Sequence, residues 1–382
     1  MVTFFVLGGY GEMGKISVLD LFETTKDEII VAGRDLEKAQ EFAQSFKSSR
    51  IKAVQADASD IDDLAEKIKG CDVVLNCAQY YFNLNVMEAC LKAGVNYLDL
   101  GGLFHTTLKQ LKLHEKFKEK KLIGILGCGS TPGITNIMAG YGAKQFDKIE
   151  EIKIRFAGKD HTDYGDVPFV VPYSIQTIFD EFTLKPAVLE NGKIKLVKPM
   201  YGKETYNFPK PIGKQACFST LHSELATFPK SFGLKNCSFK LSFPEDFVSK
   251  VKFLIDTGMA SQEKIKFGEY EISPREFSVR LLNKFLPPQK IKVKDEEMVV
   301  VELIGKSKGK NKKLRVICHA KSNPRWNVAS GAIDTGIPPS IIAQMIAKCE
   351  IPEVGVLAPE LCINPDMFFK ELRKRGMRVF VE

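Results

Sequence analysis

The stretch Leu7-Gly8-Gly9-Tyr10-Gly11-Glu12-Met13-Gly14 decides the fold. It contains G-x-G-x-x-G at Gly9, Gly11 and Gly14, directly after a strand-like run, Thr3–Leu7, and directly before a helical run, Lys15–Phe22. In that setting the three glycines have separate roles. Gly9 permits a tight turn, Gly11 admits a pyrophosphate to the backbone, and Gly14 lets helix and strand pack closely. The helix N-terminus, from Glu12 and Met13 onward, then offers N–H donors and positive dipole charge to phosphate, with Tyr10 beside them in the loop.

Outward from this loop, short β-branched runs alternate with helical segments. Candidate strands are Glu28–Ala32, Ile51–Gln55, Val73–Asn76, Asn96–Leu100 and Leu122–Leu126, with helices such as Asp60–Lys69 and Leu84–Ala93 between them. The pattern predicts an α/β protein: a Rossmann doubly wound parallel sheet over residues 1–131. After Gly133 proline becomes frequent and the rhythm changes. Strands near Ile149–Ala157, Ser238–Phe243, Glu297–Ile304 and Leu314–Ala320, with helices near Tyr173–Phe182, Glu245–Asp256 and Ser273–Phe285, suggest an antiparallel α+β substrate domain over 132–327. Residues 328–382 return to helix and strand, with a helix from Pro338 to Lys348, and are expected to pack back on the first domain.

Bulk properties narrow the function. With 55 Lys and Arg against 47 Asp and Glu the chain is mildly basic, and its densest basic run is Lys306-Ser-Lys-Gly-Lys-Asn-Lys-Lys-Leu-Arg315. That run joins two strand candidates and has no aromatics to stack on bases, so it reads as a solvated hairpin and not as a nucleic-acid surface. No run approaches the ~20 apolar residues of a membrane span, and no signal-peptide pattern opens the chain, so a cytoplasmic protein without membrane contact is expected. Nine scattered cysteines without C-x-x-C or zinc spacing predict free thiols and no metal site.

The cofactor reading sharpens at the second strand. Where an NAD-preferring site has a carboxylate, this chain has Gly33 and Arg34. A guanidinium suits the extra phosphate of NADP(H), while Asp35 keeps NAD(H) as the lesser alternative. Asp57 is either a partner for the adenine amino group or a solvated loop carboxylate. Asn76, Cys77, Ala78 and Tyr80 follow the fourth strand, and Asp99, Gly101 and then Gly129 and Thr131 follow the fifth and sixth, where this fold holds the reactive end of its ligand. Asn136 lies in the next helix.

Proton transfer has few candidates. Thr220-Leu-His-Ser-Glu224 sets His222 two residues from Glu224, so an extended segment would place both on one face. His222 is a candidate acid/base or carboxylate ligand, although a lone His is more often structural; Glu224 is a candidate for engaging an amine, and Asp99 is the other acid/base candidate. Lys214, Arg275 and Arg325 are the cations available to a substrate with several carboxylates, and Thr131, Asn136, Tyr80 and Arg325 the candidate substrate contacts.

Taken together, Gly8–Gly14, Ala32-Gly-Arg34, Asp72-Val-Val-Leu-Asn-Cys-Ala78, Ala89-Cys-Leu-Lys-Ala-Gly-Val-Asn-Tyr-Leu-Asp-Leu-Gly-Gly102, Pro132-Gly133 and Gly355-Val-Leu-Ala-Pro-Glu360 resemble the saccharopine dehydrogenase-like family. The resemblance implies a Rossmann domain interrupted by a substrate and dimerisation domain, a homodimer, and an NADP(H)-dependent oxidoreductase acting on the C–N bond of an amino-acid-derived imine or secondary amine. Saccharopine, and with it lysine metabolism, is the leading expectation for the substrate. Many members have Asp before the Pro-Gly where this chain has Thr131, which weighs against saccharopine itself. The alternatives are a reductase of a carboxylated polyamine precursor and a non-catalytic NADP(H)-binding redox sensor or scaffold.

Overall fold

The computed structural model describes residues 1–167, 169–285 and 291–382. Its first part follows the sequence rhythm: β1 (Thr3–Leu7), α1 (Glu12–Thr24), β2 (Glu28–Gly33), α2 (Leu36–Ser45), β3 (Ile51–Gln55), α3 (Ile61–Ile68), β4 (Val73–Asn76), α4 (Asn83–Ala93), β5 (Asn96–Asp99), α5 (Phe104–Gln110), α6 (His114–Glu119), β6 (Ile123–Ile125) and α7 (Ile134–Ala143). The helix ends are chemically marked. Asp35 and Asp60 cap α2 and α3 by accepting from the backbone N–H groups of Lys38 and Asp63, and Gly94 stops α4 in the left-handed conformation.

The middle contains β7 (Lys148–Asp160), α8 (Ile175–Thr183), β8 (Ala187–Glu190), β9 (Lys193–Leu196), β10 (Tyr201–Asn207), β11 (Lys214–Ser219), α9 (Glu224–Phe232), β12 (Asn236–Ser242), α10 (Glu245–Asp256), β13 (Ile265–Phe267), β14 (Tyr270–Ile272), α11 (Pro274–Leu282), β15 (Asp295–Ser307) and β16 (Lys310–Lys321). The basic run forms the two arms and the turn of the β15–β16 hairpin, with Lys308 and Gly309 both at positive φ, as a two-residue turn requires. The chain closes with α12 (Ser330–Ala347), β17 (Gly355–Leu357), α13 (Pro359–Cys362), α14 (Pro365–Lys374) and β18 (Arg378–Val381).

Among the described residues a seven-stranded parallel sheet runs β17-β6-β5-β4-β1-β2-β3. Strand order reverses at β1, which lies between β2 and β4, so a crevice opens at the carboxyl ends of β1 and β4. Helices cover both faces; Phe4, Phe5, Val6 and Leu7 are all buried, as expected of a continuous apolar strand. The second sheet runs β10-β11-β12-β7-β15-β16-β18, with β8 and β9 beside β12. It corrects the expectation of an antiparallel unit in one respect: β7 and β12 pair in parallel.

Two further corrections concern the end of the chain. The predicted helix start at Pro338 is eight residues late, because α12 begins at Ser330 and carries Pro338 and Pro339 inside it. Burial of nearly the whole helix overrides the local penalty on proline. The last segment also divides between the two sheets: β17 pairs with β6, as packing on the first domain requires, whereas β18 pairs with β16 in the second sheet. The membrane question has a narrow answer: no helix among the described residues is long and apolar enough to cross one.

The phosphate-facing helix is held from behind by α12. Ser17 Oγ donates to the Gly336 carbonyl, Ser340 Oγ to Asp20, and Arg375 Nε to Asp20 on its other oxygen. At the crossing, a Cβ on Gly336 would lie 2.6 Å from Ile16 Cβ and 2.9 Å from the Met13 carbonyl oxygen. Gly336→Val should therefore force α1 and α12 apart and cost about 1–3 kcal/mol, measured by denaturant unfolding against the parent chain.

Candidate functional site

At the open end of β1 the chain turns through Gly8 and Gly9, whose N–H groups both donate to the Ala32 carbonyl. Space here forces glycine: a Cβ on Gly14 would overlap the Gly8 carbonyl oxygen, and one on Gly9 would stand 2.8 Å from that of Val6. Gly11 caps α1 without a side-chain acceptor, leaving the first-turn N–H groups of Glu12, Met13 and Gly14 directed to an anion. Tyr10 arches over β2, its hydroxyl accepting from Asp35 N–H at 2.9 Å. A Cβ on Gly33 would meet that ring at 2.5 Å, so residue 33 has no room for the carboxylate of an NAD-type site. Next to it Arg34 is exposed. Asp57 accepts from Ser59 N–H and Oγ, and those bonds, with the nearby Arg34 charge, hold its carboxyl below the usual range. These residues fit a dinucleotide whose ribose carries a phosphate beside Arg34.

Across the crevice the ends of β4, β5 and β6 are tied by one carboxylate. Asp99, 1% exposed, accepts from Gly101 N–H, Gly127 N–H, Tyr97 Oη, Gln110 Nε2 and Asn83 Nδ2. Asn76 extends the network through Asn83 and receives Ala78 N–H, fixing the turn that carries Cys77 past Gly8. Burial pushes the Cys77 thiol up to about 12, which removes it as a nucleophile. Pro132 wedges between Gly101 and Gly127, where a Cβ on either would lie within 2.8 Å of its ring. Gly129 lies against Leu100, and a side chain there would crowd the Leu100 carbonyl oxygen at 3.1 Å. The loop Gly127–Gly133 is thereby a rigid ledge on the crevice.

The second domain meets this ledge with acids. His222, between β11 and α9, donates from Nδ1 to the Thr131 carbonyl at 3.1 Å and stacks on Phe239 with ring centroids 3.4 Å apart. Because a carbonyl can only accept, Nε2 carries the lone pair, and it has no partner. Burial pushes the ring down to about 3, so it stays neutral. Glu224, fully buried, accepts from Thr135 Oγ1 at 2.8 Å on one oxygen and has no partner on the other. Glu181 from α8 accepts from Tyr173 Oη at 2.5 Å. Burial raises Glu224 to about 7 and Glu181 to about 8. Behind the ledge, Ser130 Oγ donates to Asp334 at 2.6 Å, and burial raises both Asp334 and its neighbour Glu297 above the ordinary carboxylate range. Tyr80 Oη donates to Asp180, which also pairs with buried Arg275, so a hydrogen bond joins the two domains across the mouth.

Comparison with known proteins gives this arrangement a family. Residues 4–131 match the saccharopine dehydrogenase NADP binding domain, and residues 129–377 the saccharopine dehydrogenase C-terminal domain. The chain belongs to the saccharopine dehydrogenase family. Its fold matches saccharopine dehydrogenase (L-Glu forming) from Saccharomyces cerevisiae with a TM-score of 0.75 over 100% of this chain and 99% of that one, at 17% identity. Homospermidine synthase from Legionella pneumophila, in complex with NAD, matches at 0.74 over 100% and 91%, at 12% identity. In sequence the chain is 25% identical to carboxyaminopropylagmatine dehydrogenase of Synechocystis sp., covering 92% of this chain and 90% of that protein. It is likewise 25% identical to carboxynorspermidine synthase of Vibrio cholerae, over 92% and 89%. It is therefore an NAD(P)-dependent oxidoreductase of a family acting on C–N bonds of small molecules.

Three site expectations from sequence need correction within this family member. Asp99 is sealed by five donors and has no face toward the crevice, so it positions the loops and is no acid/base. Both ends of the Asn136 amide are taken, by Gly133 N–H and Glu360, which makes it a cap for α7 and no substrate contact. Arg325 pairs with Glu23 in the last turn of α1, the end opposite the phosphate loop. His222 and Glu224 do meet, through a loop followed by a helix start and not through an extended strand, and Thr131 and Tyr80 line the same mouth. The sequence offers the polar face of Tyr173–Phe182 as a lining of the cleft or a dimer contact without singling out Tyr173, Asp180 or Glu181, and it does not point to Ser130, Glu297 or Asp334. A signal was present at α8: a segment buried from Ile178 through Phe182 cannot hold Asp180 and Glu181 without partners or a ligand.

Glu181 and Glu224 keep protons in the fold that they lose in the unfolded chain. Their stabilising contribution is full below the ordinary carboxylate range and is lost as pH rises through about 7 and about 8. Ligand-free protein unfolded by denaturant between about pH 5 and pH 9 should lose stability along that window, and Glu224→Gln should make the slope shallower. An identical slope in the variant would contradict the assignment.

Proposed function

We propose that the protein is an NADPH-dependent reductase joining an amino-acid semialdehyde to a cationic amine, giving a carboxylated polyamine precursor. The observation that carries this reading is the pair of buried acids beside His222. Glu181 and Glu224 each have one oxygen hydrogen-bonded among the described residues, while two of the three cations expected to serve a polycarboxylate are engaged elsewhere, Arg275 by Asp180 and Arg325 by Glu23, and Lys214 is exposed at the start of β11. Saccharopine carries several carboxylates and would bring them against acids that burial already disfavours as anions. The names of the two relatives agree with the amine reading, since oxidising a carboxyaminopropyl amine at its secondary C–N bond and hydrolysing the resulting imine gives aspartate semialdehyde and an amine.

The residues supply the proton handling that such a reaction needs. An ammonium must lose a proton before its nitrogen attacks the aldehyde, and Glu224, titrating at about 7 beside the ledge, takes it. The nitrogen lone pair adds to the carbonyl carbon, and the resulting carbinolamine leaves as water plus a C=N bond, its hydroxyl protonated by the acid so formed. NADPH, when bound over the glycine turn and beside Arg34, would supply the hydride that reduces that carbon. Neutral His222 accepts an N–H of the substrate at Nε2, Thr131 and Phe239 keep the ring from turning, and the Tyr80–Asp180 bond encloses the mouth. Arg34 accounts for a preference for NADPH over NADH.

Two measurements test this. Purified protein with NADPH and aspartate semialdehyde should oxidise cofactor when diaminopropane, putrescine or agmatine is added, and should leave it intact with glutamate and aminoadipate semialdehyde; the reverse pattern would overturn the polyamine reading. Arg34→Ala should weaken NADPH binding about 10–100-fold and leave NADH binding nearly unchanged, read by fluorescence titration.

A further inference from the structure

The two nitrogens of His222 face different chemistry. Nδ1 is directed at the ledge, donating to Thr131, so Nε2 points away from the ledge, where Glu181 Oε1 stands 4.0 Å from it. Nε2 is an acceptor, and Oε1 is one once Glu181 ionises. Nε2 is buried with no donor among the described residues, and Glu181 Oε1 accepts no hydrogen bond there, in a side chain only 5% exposed. The other Glu181 oxygen is pinned by Tyr173 Oη, so the carboxylate cannot swing aside. Two buried, fixed acceptors facing each other at this separation are too far apart to bond directly and are spaced to receive one group with several N–H donors between them. An alkylammonium or a guanidinium has that form.

This pair is not where the reacting nitrogen sits in the reading above. Glu224 is held by Thr135, in the first turn after the ledge, and lies on the Nδ1 side of the ring at 3.8 Å. Glu181 stands by the other ring nitrogen, with Oε1 4.0 Å from Nε2. We propose that Glu181 Oε1 and His222 Nε2 form a subsite for the second, non-reacting cation of the amine substrate, so that the enzyme selects amines carrying a charge at both ends. The proposal rests on the amine reading of the site and adds to it the residue that measures the far end of the substrate. Phe239 is stacked on the imidazole and α8 is buried from Ile178 through Phe182, so a substrate with an apolar tail leaves the Glu181 carboxyl to keep its own proton.

The test uses the full chain with NADPH and aspartate semialdehyde, comparing putrescine with butylamine and diaminopropane with propylamine. The parent enzyme should favour each diamine over its monoamine. Glu181→Gln keeps the size and a hydrogen bond to Tyr173 but removes the charge; it should lower kcat/KM for diamines about 10–100-fold, mainly through KM, and so collapse the preference for diamine over monoamine. Tyr173→Phe, which frees the carboxylate without removing it, should give a smaller loss in the same direction. In the parent enzyme the KM for diamines should fall as pH rises through about 8, where Glu181 ionises, and this dependence should be absent in Glu181→Gln. If the parent enzyme turns over no amine with this aldehyde, the functional reading itself fails. If it turns over diamines and Glu181→Gln, still binding NADPH normally, keeps the diamine preference, the subsite is overturned and the function stands.

Discussion

The buried carboxylate of Asp99 is the constraint on which the crevice depends. The parallel sheet brings β4, β5 and β6 side by side but does not fix the loops beyond their carboxyl ends, where backbone N–H groups have lost their ladder partners. Asp99 gathers two of these, from Gly101 and Gly127, onto one oxygen, and takes Tyr97, Gln110 and Asn83 on the other. With the two glycine turns tied together, Pro132 fits between them, and the Thr131 carbonyl then has one direction in which to point. His222 reads that direction through Nδ1. The tautomer of a histidine in the second domain is thus determined by a carboxylate it never touches, in the first.

The acids of the second domain are held there at an energetic disadvantage. Burial alone favours their neutral forms, and the upward displacement of Glu181, Glu224, Asp334 and Glu297 is the expression of that cost. The partners differ in kind. Asp334 takes Ser130, which makes it a support for the ledge. Glu181 and Glu224 each receive one hydroxyl donor among the described residues. Asp20 with Arg375 and Ser340, and Asp99 with its five donors, are satisfied on both oxygens. Fully satisfied carboxylates of this kind tie elements of the fold together.

Legibility in the sequence followed the same division. Features fixed by local chemistry could be read directly: the glycines of the β1–α1 turn, the alternation of strand and helix, Arg34 in place of a carboxylate, and the helix starts at Asp60 and Ser273, where both residues act as caps. Features fixed by packing could not. Pro338 and Pro339 look like a helix start because local propensity says so, and only the burial of α12 against α1 shows otherwise. Asp99 and Asn136 stand at positions where this fold puts ligand contacts, but their side chains turn inward to unsatisfied backbone groups. Asp334 and Glu297, in α12 and β15, reach the ledge from elements far along the chain, and no spacing in the sequence relates them to Ser130. The His222 and Glu224 pair was visible as a pair because the chain returns both within one turn; Glu181 was invisible as their partner because it arrives from another helix.

The polarity of the finished crevice gives the two halves of the site a common logic. At the β1–β2 end the uncapped N-terminus of α1 and the exposed Arg34 present positive charge, and Tyr10 over Gly33 excludes a competing carboxylate. At the second-domain end Glu181 and Glu224 present acceptors without a cation of their own. On the reading proposed above, the phosphate-bearing cofactor is drawn to the first end and a cationic amine to the second, which sets one orientation in which the two share the crevice. The rigid ledge between them, built from Gly127 to Gly133, carries no charged side chain. A neutral ledge is what a reaction between a reduced cofactor and a C=N bond requires, since a fixed charge there would hold one partner back from the other.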